Sequence, residues 1–183
     1  PLSLRYIVIA TLLGNTLEWY DLATMGFFVP LFSQLFFPNH DAHQALIFTM
    51  LVIFCGMITR PFGGILFGYI GDRFGRRAAL LVSISLMSIP VLFIGLLPTY
   101  WQIGVAAPIL LFFLRLLQGV AAGGELPGAF VFLYESSTPP LRGFYGSFGF
   151  FGVGLGLFLG GICFFYLQTY FDPKNFAAWG WRV

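Results

Sequence analysis

Gly68-Tyr69-Ile70-Gly71-Asp72-Arg73-Phe74-Gly75-Arg76-Arg77 gathers an aspartate and three arginines into one short stretch. Before it runs the apolar segment 44–70, and after it the apolar segment 78–97. A helical membrane span needs roughly 20 apolar residues, and both segments meet that length. Charges confined to a turn between two such runs describe a hairpin of helices that crosses a bilayer twice.

The same alternation continues in both directions. Polar stretches at 38–43, 98–102, 135–142 and 170–175 separate further apolar runs. The expected helices cover about 4–36, 43–69, 76–97, 103–134 and 141–169, with a sixth span starting near 177. Only α-helices or closed barrels satisfy the backbone in lipid. Long runs without alternating polarity exclude the barrel. The expected fold class is therefore all-α, a polytopic membrane protein with five complete spans and the start of another.

Composition agrees. The 183 residues are 58% hydrophobic and only 9% charged, with 24 phenylalanines, and the mean hydropathy is +0.89. A soluble chain is about 25% charged. A water-soluble domain, a disordered segment and a nucleic-acid binder, which needs a basic face, are all excluded. Cys55 and Cys163 both lie in apolar runs, which gives neither a disulfide framework nor metal-ligand spacing. The chain opens on Pro1 rather than methionine, and the expectation is a portion of a longer protein. The first run is too long and too polar at its centre for a signal peptide.

Orientation follows from basic residues in short loops. With the N-terminus cytoplasmic, Arg5, Arg73, Arg76, Arg77 and Arg142 fall inside, and Lys174 and Arg182 outside. Trp101, Trp179 and Trp181 suit the interfacial aromatic belts.

An ionisable residue within a span marks function by default. Glu18, Asp21, Arg60, Arg115 and Glu125 are such residues. At helical spacing, Gly14, Glu18, Asp21 and Met25 share one face of the first span; Arg115, Gly119 and Ala122 share a face of the fourth, with Gln118 at its edge. At about 1.5 Å per residue, Glu18 and Asp21 lie roughly 18 and 22 Å above Tyr6. Arg115 lies about 28 Å above Tyr134, within side-chain reach of Asp21. Arg60 and Glu125 come at about 14 and 15 Å, matched in depth, and are expected to pair. Three carboxylates against two permanently charged guanidiniums leave one acid without a fixed partner. A carboxylate that alternates between an arginine and an apolar wall can load and release a proton.

The loop from Gly68 to Arg77 resembles the signature loop of the major facilitator superfamily. Arg115-Leu116-Leu117-Gln118-Gly119-Val120-Ala121-Ala122 resembles that superfamily's second motif, and Glu135…Arg142-Gly143 its ending of the fourth helix, here with Pro139 one place later than usual. A narrower resemblance is to bacterial metabolite:proton symporters that handle organic acids, betaine-like osmolytes and shikimate-like compounds. It rests on Gly14-Asn15-Thr16-Leu17-Glu18-Trp19-Tyr20-Asp21, on Arg60-Pro61-Phe62-Gly63-Gly64 and on Gly123-Gly124-Glu125. The chain departs from that pattern at Leu126-Pro127-Gly128. Gly152, Gly154, Gly156, Gly160 and Gly161 form a glycine ladder, read as close packing against the first span. Leu157 stands where drug–proton antiporters carry a proline, which argues against an exporter.

The resemblance implies the N-terminal six-helix half of a twelve-helix secondary transporter in the cell inner membrane, working by alternating access. Its partners would be a small polar metabolite, a proton, the lipid bilayer and the C-terminal half, and it would use no cofactor and no metal. The resemblance implies a transporter rather than an enzyme. Asp21 and Arg115 are expected to couple the proton, with Glu18 as the second candidate. Asn15, Trp19, Tyr20 and Gln118 are expected to meet substrate. Gly68, Asp72, Arg73, Gly75, Arg76, Arg77, Glu135 and Arg142 are expected to form a cytoplasmic gate. The alternatives are an uncoupled facilitator and a non-transporting sensor of the same fold. His40 and His43 read as an ordinary polar loop, and Ser147 lacks the setting of a hydrolase nucleophile.

Overall fold

A computed structural model describes residues 4–170, 172 and 180–182. Among these the regular structure is helical: α1 (Leu4–Phe27), α2 (Val29–Phe36), α3 (Ala42–Phe74), α4 (Arg76–Leu96), the single turn α5 (Tyr100–Ile103), α6 (Ala106–Ser136) and α7 (Arg142–Tyr170), with short 3-10 turns at Pro139–Leu141 and Gly180–Arg182. Four stretches, 42–74, 76–96, 106–136 and 139–170, are long and apolar enough to cross a membrane. The first helix falls short of that measure. Arg5, Asn15, Glu18 and Asp21 dilute its apolarity. The expected start of a further span near 177, together with Lys174 and Trp179, lies outside the described residues.

The first apolar run is two helices rather than one. Phe28 breaks it (φ −88°, ψ 3°), and Pro30 falls in the first turn of α2. There its missing N–H leaves no ladder bond unmade. Pro61, Pro90 and Pro127 instead sit inside α3, α4 and α6 without ending them. The fourth span is thus continuous past Pro127.

The helices pack by close backbone approach. The most extensive contacts are α3 on α6 and α1 on α7, followed by α4 on α6. A Cβ at Gly119 would collide with the Gly56 carbonyl, and one at Gly123 with the Arg60 carbonyl. On α7 a Cβ at Gly156 would meet the Thr16 carbonyl, and one at Gly160 the Ala23 side chain. Gly152, Gly156 and Gly160 of the ladder therefore pack against the first helix, whereas Gly154 faces open space. Small residues at such seams are how helices associate where lipid removes the hydrophobic drive.

Burial takes in charged and polar side chains and leaves many large apolar ones exposed. α6 buries Arg115, Gln118 and Glu125 beside alanines and glycines. Ile65, Phe150 and Phe158 are largely exposed, as lipid-facing residues are. At one end of the bundle the cluster Phe28, Phe32, Phe36, Ile94 and Leu111 buries Trp181, whose ring meets Phe32 edge-on at 5.4 Å between centroids.

Candidate functional site: a charged cleft between the first, third and sixth helices

The site begins with α1. Glu18 and Asp21 are one turn apart on the face that α3 and α6 approach. Because Gly56 and Gly119 bring α3 and α6 backbones together, the side chains of Arg60 and Arg115 are driven out of that seam toward α1. The result is a narrow cleft lined by Glu18, Asp21, Arg60, Arg115 and Gln118, with Met57 among its apolar walls.

Two charge systems share the cleft. In the first, Arg115 Nη1 lies 3.3 Å from Asp21 Oδ2. Gln118 Nε2 donates to the same Oδ2 at 2.6 Å, and Arg115 Nη1 donates to Gln118 Oε1 at 2.7 Å. The three side chains form a closed triangle. Arg115 Nε and Nη2 have no hydrogen-bond partner among the described residues, although the arginine is buried. In the second system, Arg60 Nη1 lies 2.7 Å from Glu18 Oε1, and the Arg60 guanidinium stands 5.9 Å from the Trp19 ring centroid.

The expected meeting of Asp21 with Arg115 is therefore present. The expected pairing of Arg60 with Glu125 is not: Arg60 bonds Glu18 instead. The Arg60 backbone is pressed against Gly123 of α6, and the side chain leaves that contact toward α1. Glu125 is 2% exposed, and its Oε2 meets no donor among the described residues.

Of the residues expected to meet substrate, only Gln118 lines the cleft, and it serves Asp21 and Arg115. Asn15 is fully buried and donates to the Gly149 carbonyl at 3.1 Å. Tyr20 donates to Cys163 Sγ at 3.1 Å. Both tie α1 to α7. The Trp19 Cβ packs on Gly156. The α1–α7 seam claims these three because the ladder on α7 draws that side of α1 inward.

The charged turn is simpler than expected. Arg76 is its hub, 2.9 Å from Asp72 and 3.6 Å from Glu135. Arg73 and Arg142 are not members of that network. Arg73 donates to the Tyr69 hydroxyl at 2.7 Å. Arg142 donates to the Tyr134 hydroxyl at 3.2 Å and stands over its ring. Arg77 lines a groove between α1 and α4 instead. Gly75 alone makes the turn, at φ 93°, a conformation that favours glycine. Gly68 lies within α3 beside open space, so it is not a turn glycine. Gly71 does the unexpected work: a Cβ there would lie 3.0 Å from Arg76 Nη1, so its absence leaves room for the hub. Neither tyrosine is marked by the sequence as a partner: Tyr69 is one helical turn from Arg73 on α3, and Tyr134 reaches Arg142 across the connection between α6 and α7.

A family model described as "Sugar (and other) transporter" matches residues 6–183. The chain belongs to this family. Among curated relatives, it is 39% identical over 98% of its length to the glycine betaine/proline/ectoine/pipecolic acid transporter OusA of Dickeya dadantii (strain 3937). It is 38% identical over 99% of its length to the proline/betaine transporter of Escherichia coli (strain K12). The matched region is 36% of each of those relatives, so the chain spans little more than a third of their length. Among solved structures it superposes on the inward-open xylose transporter XylE from E. coli with a TM-score of 0.83 and 21% identity, covering 98% of this chain and 43% of that one. On the major facilitator superfamily proton:xylose symporter XylE the TM-score is 0.85 at 22% identity, covering 98% and 40%. The fold resemblance read from the Gly68–Arg77 loop is upheld.

Proposed function

We propose that the chain is the N-terminal transmembrane bundle of a twelve-helix secondary transporter that takes up a small zwitterionic metabolite together with a proton. The observation that carries this is the triangle of Asp21, Arg115 and Gln118 in a cleft between helices, with Arg115 and Gln118 buried and Asp21 partly exposed. A carboxylate held by a guanidinium stays ionised; the same carboxylate released into an apolar cleft takes up a proton. Substrate supplies the release. Asp21 meets only Arg115 Nη1, so Nε and Nη2 are unengaged donors, and a substrate carboxylate can bind a guanidinium in a two-pronged geometry that Asp21 does not use. When Arg115 turns to the substrate, Asp21 loses its counter-ion and is protonated. The substrate's own cation is then balanced by no fixed negative charge at Asp21, and substrate and proton move as one load.

The class of substrate is supported by the relatives, which are named for proline, betaine and ectoine. The proton is supported by the XylE fold neighbour, named a proton:xylose symporter. Placement in the cell inner membrane with a cytoplasmic N-terminus is supported by the arginines of the Gly71–Arg77 turn and by the positive-inside rule. The Arg76 hub with Asp72 and Glu135 would latch the cytoplasmic ends of α3, α4 and α6 in the outward-open state. The test is uptake of radiolabelled proline and glycine betaine into vesicles holding the full-length transporter, with and without an imposed pH gradient. Accumulation that follows the gradient supports symport; uptake that only equilibrates assigns an uncoupled facilitator.

A further inference from the structure

Glu125 is left over from the charge pairing just described. Arg115 is engaged by Asp21 and Gln118, and Arg60 by Glu18. Glu125 makes no ion pair among the described residues, and its side chain is nine-tenths buried or better. An isolated carboxylate is not kept ionised in such a place; it neutralises. Its position is also prepared. A methyl group at Gly14 would lie 2.5 Å from Glu125 Oε1, so α1 gives up a side chain to admit the carboxyl group. The charged groups near Glu125 are Glu18 from α1 and Arg60 from α3. From α4, Arg77 lines the same groove that Glu125 borders.

We propose that Glu18 and Glu125 share one proton and one arginine. Arg60 pairs with one carboxylate while the proton sits on the other. In the arrangement seen here Arg60 holds Glu18, and Glu125 carries the proton. In the alternate arrangement the proton leaves a Glu125 carboxyl oxygen and binds Glu18, and the guanidinium swings from Glu18 to Glu125. No charge is created or lost: one proton passes from Glu125 to Glu18 while one guanidinium moves the other way. The Arg60 backbone stands against Gly123, two residues from Glu125, which keeps that swing short. Glu18 is one turn from Asp21, which makes the pair a second proton station beside the Asp21–Arg115 switch. This proposal rests on the reading of the chain as part of a proton-coupled transporter only for its role, not for its chemistry.

The test is infrared spectroscopy of the purified full-length transporter, reading the carbonyl stretch of buried protonated carboxylic acids and its shift in heavy water. Wild type is expected to show such a band near neutral pH. Glu125→Gln is expected to lose it. Glu18→Gln is also expected to lose it, because Arg60 is then free to hold Glu125 ionised. A Glu18→Gln protein that keeps the band overturns the sharing, since Glu125 would then be a fixed neutral acid. Absence of the band in wild type overturns it as well. The symport reading fails separately: Asp21→Asn that still accumulates substrate on a pH gradient defeats that reading and leaves the infrared result standing.

Discussion

Gln118 donates to Asp21 at 2.6 Å and accepts from Arg115 at 2.7 Å. It is therefore the brace that holds the carboxylate and the guanidinium in register, although α1 and α6 carry them on separate helices. A hydrogen bond to a charged group contributes about 1.5–3 kcal/mol. Gln118→Leu removes two. Initial uptake at limiting substrate is expected to fall roughly 100-fold or more. A change of less than about twofold would show that Asp21 and Arg115 need no brace.

The α3–α6 seam gives a sharper structural expectation. Gly119→Ala places a methyl against the Gly56 carbonyl, which must push two backbones apart. Overpacking of that kind costs about 1–3 kcal/mol. Thermal unfolding in detergent should show a clear drop for Gly119→Ala and none for Gly68→Ala, whose added Cβ meets open space. Equal midpoints for the two variants would contradict the packing described.

Much of this was legible in the sequence because lipid allows few solutions. Apolar runs of membrane length gave the long helices, and polar residues at helical spacing gave the face of α1 that carries Glu18 and Asp21. Depth along each helix brought Asp21 to Arg115. Depth does not give azimuth, however, and that is why Arg60 was matched to Glu125. The contact of its backbone with Gly123 decides which way its side chain leaves, and such a contact depends on two helices at once. Asn15 and Tyr20 were assigned to substrate for a related reason. Polarity marks a residue as inward-facing without saying which neighbour it faces, and here that neighbour is α7. Phe28 was hidden because apolarity continues across the break.

The Arg76 hub is expected to matter more than its neighbours. Each exposed pair contributes only about 0.2–1 kcal/mol, so the residue that makes two of them dominates. Arg76→Gln should shift the transporter toward inward-facing states further than Arg73→Gln or Arg142→Gln, since those two face Tyr69 and Tyr134. Reactivity of single cysteines at the opposite end of the bundle is the readout. If the three variants behave alike, the hub has no special place.

Orientation is open to a direct check. Single cysteines placed between Gly71 and Arg77 should react with an impermeant reagent in permeabilised cells and stay unreactive in intact ones. Labelling in intact cells would invert the topology and place the Arg76 hub outside.

The central claim is that Asp21 loads the proton when Arg115 lets it go. It is tested most directly by comparing, in vesicles holding the full-length Asp21→Asn transporter, substrate exchange at equilibrium with accumulation driven by a pH gradient. The neutral amide mimics a permanently protonated Asp21, so exchange is expected to persist while gradient-driven accumulation is lost. Accumulation as in wild type, with the same measurement abolished in Glu18→Gln, would contradict the account and move proton loading to Glu18.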